Sequence, residues 1–170
     1  MVSKSILSTY SPEDVSFIIA GVINLRGFTG GTFITISKDQ PVFKTVESTD
    51  GIPSRVKNIS KAYTITVDLM STSESNEVMT RLSLIDYSTH VVKFPLLIKD
   101  EMGSTLFFST SAWIEGHPDV SFSMGVEGRR WVLKATDASN FIGGNESPSA
   151  LSEDIFNTVV GLAPSLRTIF

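Results

Sequence analysis

The sequence predicts a mainly β protein, built from antiparallel strands with one amphipathic helix laid on the sheet, and three observations carry that prediction. From Tyr63 to Leu69 every second residue is large and apolar (Tyr63, Ile65, Val67, Leu69), while Thr64, Thr66 and Asp68 fall between them, the period-two signature of a strand with one dry and one wet face. Val78, Met79, Leu82 and Ile85 recur at helical spacing. Long crossovers between the other apolar runs are scarce, so most pairing should be antiparallel.

The elements follow in order. Residues 1–13 are polar and form an N-terminal extension ending in Tyr10-Ser11-Pro12-Glu13, before a domain expected to span 14–137. The first strand, Asp14 to Ala20, is apolar on both faces, as in a central or covered strand. Gly27-Phe28-Thr29-Gly30-Gly31 reads as a turn because glycine tolerates positive φ, and Thr32 to Ser37 is the second strand. Residues 38–61 break the regularity with Lys38-Asp39-Gln40-Pro41 and Ser48-Thr49-Asp50-Gly51-Ile52-Pro53. A long loop or hairpin of this size in a compact domain usually has a task, here reaching a neighbour.

After the strand at 63–70, the spacing Ser71-x-x-Glu74 fits a capping box, with Ser73 an alternative cap, for a helix over about 75–86. Phe94 to Lys99, Thr105 to Glu115, Val120 to Met124 and Arg129 to Thr136 are further strands. Asp100-Glu101-Met102-Gly103 and Glu127-Gly128 are their turns. Residues 138–170 form a linker rich in Gly, Asn, Ser and Pro, followed by a C-terminal segment with Leu151, Ile155, Val159 and Leu162 at helical spacing. That segment either docks elsewhere as an arm or packs back on its own core.

Composition narrows the function. The chain has 170 residues, enough for one domain with a hydrophobic core. A charged fraction of only 19% beside 41% hydrophobic residues suggests surface covered by assembly. A net charge of −4 argues against a protein that grips nucleic acid through a basic footprint. With no cysteine, disulfide frameworks and thiolate metal sites are excluded. The start Met1-Val2-Ser3-Lys4-Ser5 lacks the cationic and apolar stretches of a signal peptide, and no apolar run approaches a membrane span. A chain folded in the cytoplasm without membrane insertion is expected.

No catalytic or cofactor-binding pattern emerges. His90 and His117 have no metal-ligand spacing and read as exposed loop residues. Gly30-Gly31 and Gly143-Gly144 match no dinucleotide or phosphate loop and read as turns. Asp68, Asp86, Asp100 and Glu115 sit where strand ends and turns ordinarily carry carboxylates, which gives no hydrolytic pair. Trp113 and Trp131 lie on alternating strands: as a platform they would stack on sugars, whereas Trp131-Leu133-Ala135 has the look of an inward, core-packed face. No enzyme, cofactor or metal is expected.

An ordered series of short motifs adds a resemblance. Tyr10-Ser11-Pro12-Glu13-Asp14-Val15, Gly30-Gly31-Thr32-Phe33-Ile34, Ser48-Thr49-Asp50-Gly51 and Leu69-Met70-Ser71-Thr72-Ser73-Glu74-Ser75-Asn76 come first. Phe94-Pro95-Leu96-Leu97-Ile98-Lys99-Asp100, Gly103-Ser104-Thr105 and Ala112-Trp113-Ile114 complete it. From about residue 10 to residue 140 the chain resembles the tail tube proteins of contractile-tailed bacteriophages; the stretch beyond 145 lies outside the pattern.

The resemblance implies an antiparallel β-sandwich or partial barrel flanked by one helix, an extended inter-ring loop, and copies that close into hexameric rings stacked as a hollow tube in the virion tail. The expected partners are further copies of the chain, then tail sheath, tape measure, baseplate and tail terminator proteins, with DNA only as non-specific cargo. Closing a sheet across subunits removes exposed edges, and an acidic or polar wall lets a polyanion slide. On this basis Thr64, Thr66 and Asp68 are expected to face the lumen, and Asp50, Gly51 and Arg55 to make inter-ring or inter-subunit contacts. A tailocin or other contractile injection system would share the architecture. A carbohydrate-binding or adhesin sandwich remains the reading from a different class.

Overall fold

A computed structural model describes residues 10–144. A 3-10 turn over Pro12–Asp14 leads into β1 (Val15–Ile19), β2 (Ile23–Asn24), β3 (Ile34–Lys38), β4 (Phe43–Glu47), β5 (Pro53–Lys57) and β6 (Tyr63–Met70). Helix α1 (Ser75–Thr89), β7 (Phe94–Asp100), β8 (Leu106–Gly116) and β9 (Gly128–Phe141) complete the described chain. Seven strands form one sheet in the order β2-β1-β7-β8-β9-β6-β3, antiparallel throughout, while β4 and β5 pair only with each other. The fold is the mainly β, antiparallel, one-helix architecture that the alternation predicts.

The inner face of the sheet is apolar because the period-two residues of successive strands align. Ile65 and Val67 of β6 stand opposite Leu133 and Trp131 of β9, and Ile98 of β7 stands opposite Phe107 of β8 and Phe17 of β1. All of these are buried, with Leu69, Leu96 and Met79. The sheet curls far enough that Ile34 and Ile36 of β3 line one cavity with Val15 of β1 and Ile98 of β7. Phe33, Phe28, Val15 and Leu25 line a second. The two edges therefore approach without pairing, and the barrel is partial, with an open seam.

A bend in the middle of β8 and β9 makes this curl possible. Buried positions on β9 run Trp131, Leu133, Ala135, and those on β8 run Phe107, Ser109, then Ala112, so the inward parity changes within the strand. At the change Asp137 adopts φ 49° and the β7–β8 register shifts between Phe94 and Leu96. The buried Ser109 hydroxyl repairs the interrupted ladder, donating to the Thr136 carbonyl at 2.7 Å and accepting from the Ser111 N–H at 3.2 Å.

Helix α1 covers the Trp131 end of the core through Met79 and a polar cluster. The buried Asn76 side chain donates to the carbonyls of Met70 (2.8 Å) and Ser73 (3.0 Å) and accepts from Trp131 Nε1 at 3.0 Å. Ser75 Oγ accepts from the Arg26 N–H and donates to the Arg26 carbonyl, both at 2.9 Å, tying the β2–β3 connection to the helix start. Gly27 is required there: its φ is +74°, and a Cβ would stand 2.7 Å from Ser73 Oγ.

Three local expectations are corrected. Val120 to Met124 is not a strand, because β8 and β9 pair directly from Gly116↔Val132 onward and residues 120–124 find no backbone partner among the described residues. The Ser71-x-x-Glu74 box does not form: Glu74 occupies the N-cap in helical conformation without a side-chain bond, and Ser73 Oγ accepts from the Ser75 N–H at 3.2 Å instead. The apolar character of the first strand on both faces reflects partial cover only, since Phe17 and Ile19 are buried while Ile18 is half-buried and Ala20 is exposed. The expected C-terminal helix and most of the N-terminal extension lie outside the described residues.

Candidate functional site

Two surfaces stand out, the outer face of the sheet around β6 and the β4–β5 hairpin. On β6, Thr64, Thr66 and Asp68 do share the outer face, since their neighbours Ile65, Val67 and Leu69 are buried. Across the ladder they meet Lys134, Val132 and Arg130 of β9, and Thr64 and Thr66 meet Ser37 and Thr35 of β3.

The charges of this face are paired. Asp68 makes a bidentate contact with Arg130, Nε to Oδ1 and Nη2 to Oδ2 both at 2.8 Å. Asp39, just past β3, accepts from Thr64 Oγ1 at 2.5 Å and from Lys134 Nζ at 2.8 Å. The lysine bond first, and the threonine bond next, hold the Asp39 carboxyl below its ordinary value. In the same way the Asp68 carboxylate raises the Arg130 guanidinium. Two carboxylates and two cations interleave over β3, β6 and β9, so the face is polar and near neutral rather than the acidic wall that Asp68 alone suggests. Arg130, Lys134 and Asp39 escape sequence reasoning because their pairing depends on a β6–β9 contact between strands some 60 residues apart. Further along the sheet the outer face turns apolar, with Ile18, Leu97 and Phe108 aligned across β1, β7 and β8.

The β4–β5 hairpin has both faces exposed along its whole length. Its turn closes with the Ser48 N–H on the Ile52 carbonyl (3.1 Å) and the Gly51 N–H on the Ser48 carbonyl (3.0 Å), and Gly51 takes φ +74°. Asp50 and Gly51 thus form the tip, whereas Arg55 lies on the shaft with its guanidinium carbon 3.3 Å from the Phe43 ring centroid. Val42, Val46, Ile52, Val56 and Ile59 are exposed with them. A two-stranded arm with apolar side chains exposed to water is at best marginally stable by itself.

Trp113 and Trp131 occupy opposite faces. Trp113 stands opposite Lys134 on the outside, and Trp131 stands opposite Val67 in the core, so they make no shared stacking platform. His90 is the exposed, left-handed cap of α1. His117 is an exposed loop residue as expected, and its Nε2 is also hydrogen-bonded to Ser83 Oγ at 2.5 Å while its ring lies 5.3 Å from that of Trp131. Among the described residues no three His, Cys, Asp or Glu side chains group as metal ligands.

No protein-family model matches the chain. The chain is 32% identical over 154 residues to Structural protein ORF10 of Pseudomonas phage KPP10, covering 86% of this chain and 89% of that protein. In three dimensions it resembles the anti-feeding prophage cap, described as the AFP tube terminating cap, with a TM-score of 0.52, 12% identity, and coverage of 83% of this chain and 99% of that one. A sheath/tube terminator of the extracellular contractile injection system PVC aligns at a TM-score of 0.47 and 11% identity over 81% of this chain and all of that one. The first likeness is one of sequence and the cap likeness is one of fold. The chain belongs to the family of phage structural proteins, not enzymes, that includes Structural protein ORF10 of Pseudomonas phage KPP10.

Proposed function

We propose that this chain is a ring-forming subunit of a phage tail tube, in which hexameric rings stack into a hollow conduit for DNA. The observation that carries the reading is the unfinished sheet. Phe33, Thr35, Ser37 and Asp39 direct their backbone groups to β6 and its lead-in, so Ile34, Ile36 and Lys38 turn theirs outward along an open edge beside the seam. A second copy supplying backbone there removes the edge and extends the wall. The β4–β5 arm, with Asp50 and Gly51 at its tip and Arg55 on its shaft, reaches the next ring along the axis.

The lumen wall is the polar half of the outer face, bearing Thr64, Thr66 and the Asp68–Arg130 pair. Interleaved charges leave a polyanion neither held nor strongly repelled. Sheath, tape measure, baseplate and terminator proteins are the partners of such a tube, which assembles in the host cytoplasm and is carried in the virion tail. Negative-stain microscopy of the purified chain at high concentration tests the proposal: rings or filaments are expected, and a permanent monomer sinks it.

A second reading is favoured by the likeness to the tube terminating cap. In that case the chain forms a single ring that ends the tube. Copy number separates the two, since a tube subunit recurs in every ring of the tail whereas a terminator occurs once per tail; quantitative mass spectrometry of purified particles reads it. Packaged DNA in those particles separates a phage tail from a tailocin. The sugar-binding alternative loses its platform with the two tryptophans on opposite faces.

A further inference from the structure

The outer face of the sheet is polar over β6 but apolar over β1, β7 and β8. Alternation turns Ile18, Leu97, Leu106 and Phe108 outward, because residues between them such as Phe17, Leu96 and Phe107 are buried. The register sets Leu97 between Ile18 and Phe108, and Leu106 opposite Phe141. Leu106, Phe108 and Phe141 are exposed, and Ile18 and Leu97 are half-buried. Contiguous apolar surface of this kind marks a contact. Lys99, which adjoins it opposite Leu106, is already held by Glu101 at 2.6 Å, so covering the patch strands no free cation at that margin.

The chain itself arrives at the edge of this patch. Beyond Phe141, Gly143 and Gly144 are clamped to the turn between β7 and β8. The Ser104 N–H and Oγ both donate to the Gly144 carbonyl at 3.2 Å, Thr105 Oγ1 donates to the Gly143 carbonyl at 3.1 Å, and the Gly143 N–H donates back to Thr105 Oγ1 at 3.2 Å. These bonds fix the point of exit next to the Leu106–Phe141 pair. Residues 145–170 follow, outside the described residues.

The sequence of that stretch fits the patch in length and pattern. Asn145-Glu146-Ser147-Pro148-Ser149 is a polar tether able to span at most about 18 Å. Leu151, Ile155, Val159 and Leu162 then recur at helical spacing, and Pro164 stops the run. At helical rise that stripe is about 17 Å long, and the patch from β9 across β8 and β7 to β1 measures about 14 Å at the usual strand spacing. We infer that residues 150–163 lie as an amphipathic helix across Ile18, Leu97, Leu106, Phe108 and Phe141 of the same chain.

A tether this short holds the segment at an effective concentration of about millimolar, so in dilute solution its own sheet outcompetes that of a second copy. The inner side of the same end is a poorer host, since Tyr10, the first described residue, already stands on the wall of the cavity there. Cover within the chain is independent of the ring-subunit reading, and it can be read whether or not the chain assembles.

The chain has no cysteine, which makes a clean test. Ser139 is exposed opposite Phe108, and Thr158 lies beside the apolar stripe on a helical projection. In the full chain carrying Ser139→Cys and Thr158→Cys, mild oxidation at micromolar concentration should join the two within one molecule, as read by mass spectrometry of unreduced peptides. The same link between chains, from mixed single variants, should form about tenfold or more slowly. Thr66→Cys with Thr158→Cys, on the polar half of the face, should not link. Removing residues 145–170 should raise the binding of a hydrophobic dye severalfold while the melting transition stays cooperative. Ile155→Asp in the full chain should reproduce that rise, and Ile155→Leu should not.

A 139–158 link that forms as fast between chains as within one assigns the segment to a neighbour and overturns the inference. Dye binding unchanged by both the truncation and Ile155→Asp overturns it as well, since the segment then leaves the patch bare. Neither result touches the ring reading, which rests on the β3 edge.

Discussion

Asp68 and Arg130 clasp each other side by side across β6 and β9, with both carboxylate oxygens engaged at 2.8 Å, although the arginine side chain is 69% exposed and the aspartate only 16%. Exposure of the cation leaves the pair screened by water and limits what it contributes to stability. Asp68→Lys should therefore leave a folded subunit with a urea midpoint only slightly lowered. Its effect should appear at the wall instead. The introduced lysine would stand beside Arg130 and Lys134, and three cations on one strip would hold phosphates, so tails should assemble but deliver genome poorly. Assembly failure in a well-folded variant would place Asp68 at a subunit contact.

The Asp39, Thr64 and Lys134 cluster makes a pH prediction. Folding lowers the Asp39 pKa below its ordinary 3.8, chiefly through Lys134 and then Thr64. A depressed carboxyl binds fewer protons folded than unfolded, so its stabilisation is fully present above about pH 4 and is lost as pH falls through the depressed value. Asp39→Asn should therefore flatten the acid limb of the stability curve while changing its slope little near pH 7. Thermal melts from pH 2 to 7 decide it, and an unchanged acid limb would show that other carboxylates control it.

Asn76 is the most vulnerable polar residue of the described fold. Its side chain satisfies two carbonyls at the β6–α1 junction and the indole N–H of Trp131. Asn76→Ala strands the buried indole N–H of Trp131, which costs about 1–3 kcal/mol, whereas the Met70 and Ser73 carbonyls keep the N–H groups of Ser73 and residue 76. A loss of about 1–3 kcal/mol is expected in chemical denaturation, with near-ultraviolet circular dichroism reporting a loosened Trp131. Asn76→Asp keeps an acceptor for the indole but sets a buried carboxylate oxygen against the Met70 and Ser73 carbonyls, and should cost at least as much as the alanine.

What is legible in the sequence follows from the range of the interactions involved. Tyr63 to Leu69 declares its strand and its two faces because alternation is local, and Val78, Met79 and Leu82 likewise declare the helix. The same alternation misleads at Val120 to Met124, where the pattern exists but no backbone partner does. Pattern reports which side chains want cover; pairing requires a neighbour that only the fold, or another copy, provides. Asp68 is visible as a wet-face residue, whereas its neutralisation by Arg130 is not, since strand order fixes that meeting. Ser109 and Asp137, which let the sheet bend, carry no sequence signal apart from a serine in an apolar strand and an aspartate near a strand end.

The β4–β5 hairpin allows fold and assembly to be separated. Apart from its own ladder and the Asn58 N–H on the Val42 carbonyl at 2.8 Å, it shares no strand pairing with the seven-stranded sheet, and neither of its strands supplies a buried residue. Replacing residues 43–57 by a short Gly-Ser linker should consequently leave the monomer's melting temperature little changed, because loop-closure entropy changes slowly with length. If the hairpin is the axial contact, rings of the shortened chain should form and fail to stack. Subtler variants grade the effect. Phe43→Ala removes the ring beneath Arg55 and should weaken stacking more than Arg55→Lys, which keeps the charge but loses the planar guanidinium. Tube-length distributions by electron microscopy measure each one. Filaments of normal length from the linker variant would assign stacking to another surface and leave the exposed arm to the sheath or the terminator.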